Sequence, residues 1–592
     1  MKRRRHKPEA HDWAPFRADE RPVTPFSVHG DYTLALAYAN SYHVGMSSLG
    51  FQRVYQLLHE RDGWSAERFF TDGTGMPLSV ETGSPLNEFG AVAFSVSFEE
   101  DYVNLLGMLD RAGIPLRRSQ RGPWDPLVLM GGSCAAINPL PMAEFVDVFV
   151  LGAGENTLPE LCSALEEEPD KTAVIERLAA QPGFYVPSAH RPEEAWLEGV
   201  ELPKLRKMEL TAEQMRQPGH LPTTSIVTPR TEFADKFLIE MSRGCPEKCR
   251  YCWATFGMGV FRWHPAEYIL GALDRARSVT DQLGFVATAV GDHPEIGRIL
   301  HEAVGLGFRT AVSSIRIPAV TEEVLSALHA SGDRSITLAP ETGTDELRVK
   351  LNKPIPNSVL LEKIRLIFRH GFTSLKLYFL VGCPGETMAD VQGILDLGAE
   401  ARAIMLEELA PTGVVGEIHL GTNILIPKPY TAWQREPMDD PKSLKEKVSL
   451  LKKGVSRLPN VTLSTMSIRQ AIWQTYITKA GSGAAESAHR HVLQVRRALG
   501  ASRGRIARQQ LAESLALALP AAVAGVILAF GLNRVFWSAG FGWTGPIEDV
   551  GMDLRVLSFA LAAALLTTLA FGILPAALAS RVDVAPSLKG TE

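Results

Sequence analysis

An α/β chain with two parallel-sheet bodies and a C-terminal pair of membrane-length helices is what the 592 residues predict. Three observations carry the prediction. Short, continuously apolar runs alternate with helical-period segments, the pattern of buried parallel strands covered by helices on both faces. A stretch rich in Pro, Thr and charge, 196–234, divides that alternation in two. Residues 515–532 and 556–579 carry no charge, and each is long enough to span a bilayer.

In the first body, 26–195, strands are expected at 32–39, 91–97, 127–130 and 146–151, with helices at 47–60 and 102–112. Loops at the carboxyl ends of such strands form a binding crevice. Here they are glycine-rich: 40–50, Gly131-Gly132-Ser133 and Gly152-Ala153-Gly154-Glu155. The second body, 235–440, opens on the apolar run Phe237 to Met241 and continues with strands at 285–290, 310–317, 335–339, 374–381 and 416–426. Six strands suffice for a partial parallel barrel, a (β/α)6 unit with its site at the carboxyl ends. Those ends read Gly291-Asp292, Ser313-Ser314 with Arg316, Pro340-Glu341-Thr342-Gly343, Gly382-Cys383-Pro384-Gly385-Glu386 and Pro427-Lys428-Pro429. Around the two bodies we expect a disordered basic tail (1–25), the 196–234 linker, a helical extension (441–478), a Gly/Ser/Ala linker (479–488) and the helical hairpin (489–592).

Composition narrows the function. Six cysteines, three of them scattered singly (Cys134, Cys162, Cys383), argue for a reducing compartment without a disulfide framework. A net charge of -5 and a pI near 6.3 give no sign of a nucleic-acid partner. No apolar h-region follows the cluster Lys2, Arg3, Arg4, Arg5 and Lys7, so it reads as a solvated tail.

The remaining cysteines, Cys245, Cys249 and Cys252, lie on one short loop directly after the first strand of the second body, spaced Cys-x3-Cys-x2-Cys. Three thiolates leave one iron of a four-iron cluster free to bind a small molecule, the open-site logic of catalytic metal centres. The competing assignment is zinc, which wants a fourth ligand. Only His264 lies within a dozen residues of the loop.

This spacing resembles the radical S-adenosylmethionine (SAM) enzymes. The resemblance implies a [4Fe-4S] cluster whose open iron chelates SAM, reductive cleavage to a 5'-deoxyadenosyl radical, and a reductant protein of flavodoxin or ferredoxin type. It places Tyr251, the aromatic before the last cysteine, near the adenine. Ala339-Pro340-Glu341-Thr342-Gly343 and Gly382-x-Pro384-Gly385-Glu386 resemble superfamily segments at strand ends. Gly291, Asp292, Ser314, Arg316, Glu341, Gly382, Pro384 and Gly385 are thereby implied as SAM contacts, with Asp292 standing where many members carry Glu. The first body resembles the cobalamin-binding-type Rossmann-like domain that precedes many such cores. It departs from that pattern in lacking Asp-x-His-x-x-Gly, since the nearest histidine, His43, lies in Ser41-Tyr42-His43-Val44-Gly45. Cobalamin bound without a protein ligand, favouring methyl transfer, and a vestigial domain serving as docking surface or substrate wall both remain open. The substrate is unspecified.

Arginines 490, 496, 497, 503, 505 and 508 precede the first apolar span, Arg581 and Lys589 follow the second, and the connecting loop carries Glu548, Asp549 and Asp553 against Arg534 and Arg555. The positive-inside rule puts both ends in the cytoplasm. Residues 495–517 and 553–589 resemble the C-terminal part of ABC transporter permeases of the macrolide-export and lipoprotein-release type, with only the last two of four spans present. A genuine fusion implies a cytoplasmic core tethered to the inner membrane; a gene-fusion or assembly error predicts the same sequence. The alternative function is a transport component with a degenerate core, which would contact an ABC ATPase through 496–508.

Overall fold

The computed structural model describes residues 11–27, 29–191 and 207–481. The expected hairpin, the linker 482–488 and the arginine-rich stretch lie outside them. Among the described residues no helix is long and apolar enough to cross a membrane.

The first body is a six-stranded sheet built from β1 (Tyr32–Tyr38), β2 (Trp64–Phe69), β3 (Ala91–Ser95), β4 (Leu127–Gly131), β5 (Val148–Val150) and β6 (Phe184–Tyr185) in the order β2-β1-β3-β4-β5-β6. All neighbours are parallel except β5 and β6. Leu34 through Tyr38 are buried without alternation, as expected of a strand covered on both faces. At the carboxyl ends two glycines are obligatory. Gly132 has φ +93°, and a Cβ there would meet the Val96 carbonyl oxygen at 2.6 Å; Gly152 has φ +122°, with the Met208 amide nitrogen at 2.6 Å.

Strand β2 is absent from the sequence-based expectation because Glu67 and Arg68 break its apolar run. The fold buries it by pairing the charge: Arg68 is 3% exposed and donates to Glu20 at 2.8 and 2.9 Å and to Glu81 at 2.6 Å. The disordered tail needs correction from residue 11 onward. Trp13 is buried and donates to the Leu78 carbonyl at 2.9 Å, Ala14–Ala18 is a helical turn, and Arg21–Pro22 pairs antiparallel with Ile226–Val227. The Trp13 indole packs against Phe16, Tyr42 and Phe70. The linker is likewise built in from Lys207 on. Gln52 accepts from the amides of Ser225 and Ile226 at 2.9 and 3.0 Å, satisfying two buried backbone donors.

One buried carboxylate is poorly satisfied. Asp101 is 2% exposed, and Oδ1 accepts from Asn40 at 2.8 Å while Oδ2 has no partner. Burial raises its pKa to about 6 against the opposing amides of Asn40 and Asn104. The folded protein therefore binds a proton that the unfolded chain releases near pH 4, so Asp101 stabilises below that pH and its contribution is lost as pH rises to 6. Asp101→Asn is expected to abolish this part of the pH dependence, worth at most about 2–3 kcal/mol, as read from denaturation midpoints between pH 4 and 7.

The second body comprises a sheet of β7 (Phe237–Glu240), β8 (Gln282–Val286) and β9 (Arg309–Val312), and a sheet of β10 (Ser335–Glu341), β11 (Ser374–Val381), β12 (Glu417–Ile424) and β13 (Val461–Thr465). Every pairing is parallel and follows chain order. The Ile315 amide donates to the Thr337 carbonyl at 3.1 Å, stitching the end of β9 to β10. There are thus seven strands where six are expected. β13 interrupts the helical extension predicted for 441–478, lying between helices Pro441–Val455 and Ile468–Lys479. Its sequence, Val-Thr-Leu-Ser-Thr, is β-branched and follows Asn460 at φ +63°, a turn that ends any helix.

The bodies are clasped together. Lys428 and Glu99 form a buried ion pair, Thr478 and Gln474 also donate to Glu99 (2.8 and 3.0 Å), and Asn138 donates to the carbonyls of Thr478 and Ala480.

Candidate active site

The cysteine loop is pinned at its base. Past β7, Ser242–Arg243 pairs antiparallel with Arg262–Trp263, and Gly244 (φ +76°) passes so close to the Gly259 carbonyl that a Cβ would meet its oxygen at 2.8 Å. Arg243 donates to Glu240 at 2.6 Å and to Glu155 at 3.1 Å, joining the loop to the glycine-rich Gly152–Glu155 turn of the first body. The outer edge is held by backbone contacts: Arg250 N–H to Leu351 O at 3.0 Å, Trp433 N–H to Arg250 O at 3.2 Å, and Asn352 Nδ2 to Lys248 O at 2.8 Å.

The three thiols share one electrostatic environment. Burial pushes Cys249 up to about 12, opposed by Lys353 and reinforced by Cys252, Glu341 and Cys245. Cys245 is raised by burial as well, against the Glu247 backbone and Arg316. Among the described residues no three His, Cys, Asp or Glu side chains converge on a single-ion site. His264 Nδ1 lies 3.0 Å from the Met215 carbonyl, and Nε2, 3.5 Å from Glu240, makes no hydrogen bond. The zinc assignment therefore finds no fourth donor among the described residues.

Two charged groups flank the loop. On the Cys245 side, Arg316 pairs with both Asp292 and Glu247. Burial raises the Asp292 carboxyl even against Arg316, and its Oδ2 is buried without a partner. Gly291 beside it admits no side chain, because a Cβ would lie 2.6 Å from that of Ala319. On the Cys249 side, Glu341 adopts φ +70°, and Lys353 donates to it at 2.8 Å and to the Ala339 carbonyl at 2.6 Å. Tyr251 bonds to Glu341, and burial together with that carboxylate drives its phenol far up. Its ring packs with Leu347, Leu351, Cys383, Leu425 and Trp433.

The other expected contacts lie further out. Ser314 is half-buried just past β9. The Gly382–Gly385 turn closes on itself, the Gly382 amide donating to Glu386 at 2.7 Å while Glu386 pairs with buried Lys447 at 2.7 Å. Gly382 and Gly385 have φ +83° and +75°, and Lys350 donates to the Gly385 carbonyl at 3.4 Å. In this turn, which includes Pro384, burial and the nearby carboxylates Glu386 and Glu341 raise the pKa of the Cys383 thiol.

Glu247, Lys353 and Lys207 belong to the site but not to the residues expected. Glu247 lies between Cys245 and Cys249, and Lys353 lies ten residues past Gly343. Lys207 carried no signal. Its Nζ lies 4.9 Å from the Trp253 ring centre and 5.2 Å from that of Tyr430, and burial lowers its pKa to about 8.

A cavity of about 340 Å³ separates the glycine loops of the first body from the cysteine loop, with Gly132, Gly152 and Ser97 on one wall and Arg243, Trp253 and Met258 on the other. His43 is not on it. Its Nε2 lies 3.3 Å from exposed Glu232.

Residues 50–187 match the family of radical SAM proteins, N-terminal; residues 239–398 match the radical SAM superfamily; and residues 485–584 match the FtsX-like permease C-terminal family. An uncharacterized protein of Methanocaldococcus jannaschii, MJ0966, is 24% identical over 72% of this chain and 83% of its own length. Among solved structures, the cobalamin-dependent S-adenosylmethionine radical enzyme OxsB with aqua-cobalamin bound is similar over 62% of this chain at 14% identity and TM-score 0.41. This chain spans 52% of OxsB's length. Coproporphyrinogen III oxidase (HemN) of Escherichia coli is similar over 37% of this chain and 52% of its own, at 15% identity and TM-score 0.27. With the cysteine loop inside the radical SAM match and the N-terminal family match ahead of it, the chain is a radical SAM enzyme, continued by a segment that matches the FtsX-like permease C-terminal family.

Proposed function

We propose that Cys245, Cys249 and Cys252 hold a [4Fe-4S] cluster with one open iron, and that the carboxyl ends of β8 to β11 hold SAM against it. The observation that carries this is the pinned loop with three electrostatically coupled thiols, flanked by charged groups not fully spent on one another. When bound, cluster and SAM supply the reductive cleavage to a 5'-deoxyadenosyl radical. The protein's part is to orient SAM and keep water away. The orphaned Oδ2 of Asp292 suits the ammonium of SAM, and Arg316 beside it suits the carboxylate; Glu341 and Tyr251 form the opposite wall. Anaerobically reconstituted protein should show cluster absorbance and release 5'-deoxyadenosine under dithionite. Loss of either result overturns the proposal.

Asp292→Asn removes a charged contact worth about 1.5–3 kcal/mol, so SAM should bind roughly 10- to 100-fold more weakly by calorimetry while iron content stays unchanged. A fall in iron content would make Asp292 structural.

The glycine-lined cavity supports cobalamin without a protein ligand to cobalt, with methyl transfer as the outcome, or a wall that holds substrate to the loop; cobalt content after anaerobic purification decides between them. The permease-like segment supports a membrane tether for a cytoplasmic core. Association with an ABC ATPase through 496–508 would instead favour the transport reading.

A further inference from the structure

A second cavity, of about 400 Å³, opens at the amino ends of the first body's sheet, where Tyr32, Trp64, Ala91 and Leu127 each begin a strand. The length of those strands separates it from the glycine loops at their other end. Its wall includes Trp124, whose side chain is 98% exposed. The turn that carries this indole, Gly122-Pro123-Trp124-Asp125-Pro126, is fixed from several sides. The Gly122 amide donates to Asp125 Oδ2 at 2.7 Å, the Asp125 amide donates to the Gly122 carbonyl at 3.3 Å, and Lys171 Nζ donates to the carbonyls of Gly122 and Asp125 at 3.3 and 3.4 Å. Two further aromatics line the cavity. The rings of Tyr32 and Trp64 stack with centroids 5.4 Å apart and 17° between planes, and the Trp64 indole N–H donates to Glu166, which Arg61 holds at 2.8 Å. Aromatic faces held in place beside water meet much of their ordering cost before any ligand arrives.

The charges around these rings select the ligand. Lys171 is spent on two carbonyls, and Asp170 fills the N-terminus of helix Lys171–Ala179, accepting from the Thr172 and Ala173 amides at 2.8 and 3.0 Å. An anion would therefore meet a committed cation and an occupied helix end. Asp125 and Asp170 leave negative charge beside the aromatics, each with one oxygen already taken by backbone amides. A guanidinium draws its advantage from a carboxylate with both oxygens open, whereas a quaternary ammonium has no N–H to place and needs only aromatic faces and nearby negative charge. We propose that this cavity is a second ligand site, separate from the cysteine loop, that takes a small quaternary ammonium compound with its cationic head against Trp124 and Tyr32. Leu127, Leu165 and Val174 line the same cavity and suit an apolar remainder of the ligand.

The test needs neither iron nor SAM, so its outcome is independent of the cluster assignment. Calorimetric titration of the full-length chain with choline should show saturable binding, and the uncharged tert-butyl isostere of choline should bind roughly tenfold more weakly. Trp124→Ala, a change at a side chain that lies almost wholly in water, should weaken choline by about tenfold. Trp124→Tyr keeps an aromatic face and should restore most of that loss. Absence of saturable choline binding to the unsubstituted chain would overturn the proposal. So would equal binding of the isostere, which would make the cavity merely apolar, or tighter binding of methylguanidine, which would make it a guanidinium site. Unchanged affinity in Trp124→Ala, or a Trp124→Tyr variant as weak as the alanine one, would also overturn it.

Discussion

Cys249→Ala is expected to abolish both the cluster absorbance and the release of 5'-deoxyadenosine, leaving the fold intact. Cys249 is the most buried of the three thiols at 6% exposure, and its pKa is pushed up to about 12 chiefly by burial. A thiol so placed is protonated and inert unless a metal displaces the proton, which makes the site a poor general nucleophile and a good ligand position. Removing it leaves two thiols for four irons, so iron content should drop to background and not by a third. Cys383, in the apolar packing around Tyr251, supplies the control. Cys383 is buried beside Glu341 but lies on a different loop, and Cys383→Ala should retain both iron and SAM cleavage. Iron retained in Cys249→Ala, or lost in Cys383→Ala, would redraw the ligand set.

What could be read before the fold was known divides along the range of the interactions. The cysteine loop was legible because its pattern is local: three thiols within eight residues, behind an apolar run that reads as a strand. The strand-end groups were legible as punctuation, but not which of them meet. Nothing in Glu247 announces that it shares Arg316 with Asp292, and the Gly382–Gly385 turn, expected to face SAM, spends Glu386 on its own amide and on Lys447. Lys207 was hidden inside a Pro-rich linker, and only tertiary structure sets it over Trp253 and Tyr430. β13 was lost to the helices around it, and β2 to its own charges.

Those charges give the second large effect. Arg68 lies in β2 with 3% of its side chain exposed, donating to Glu20 and Glu81, whose side chains are 8% and 4% exposed. Glu20 belongs to the N-terminal segment that carries Trp13, so this triad is also what fastens that segment to the sheet. Burial and the two carboxylates oppose each other on the guanidinium, and the carboxylates prevail, holding it charged. Arg68→Ala would strand two carboxylates in an apolar interior, and breaking a buried pair in this way costs about 3–5 kcal/mol. The midpoint of urea unfolding followed by tryptophan fluorescence should fall accordingly, with Trp13 exposed to quencher before the sheet unfolds. Replacing the whole triad with Arg68→Met, Glu20→Gln and Glu81→Gln should recover most of the loss, because the desolvation of three charges disappears along with their attraction. If the triple substitution is no more stable than Arg68→Ala, the triad acts through specific geometry and not through charge balance.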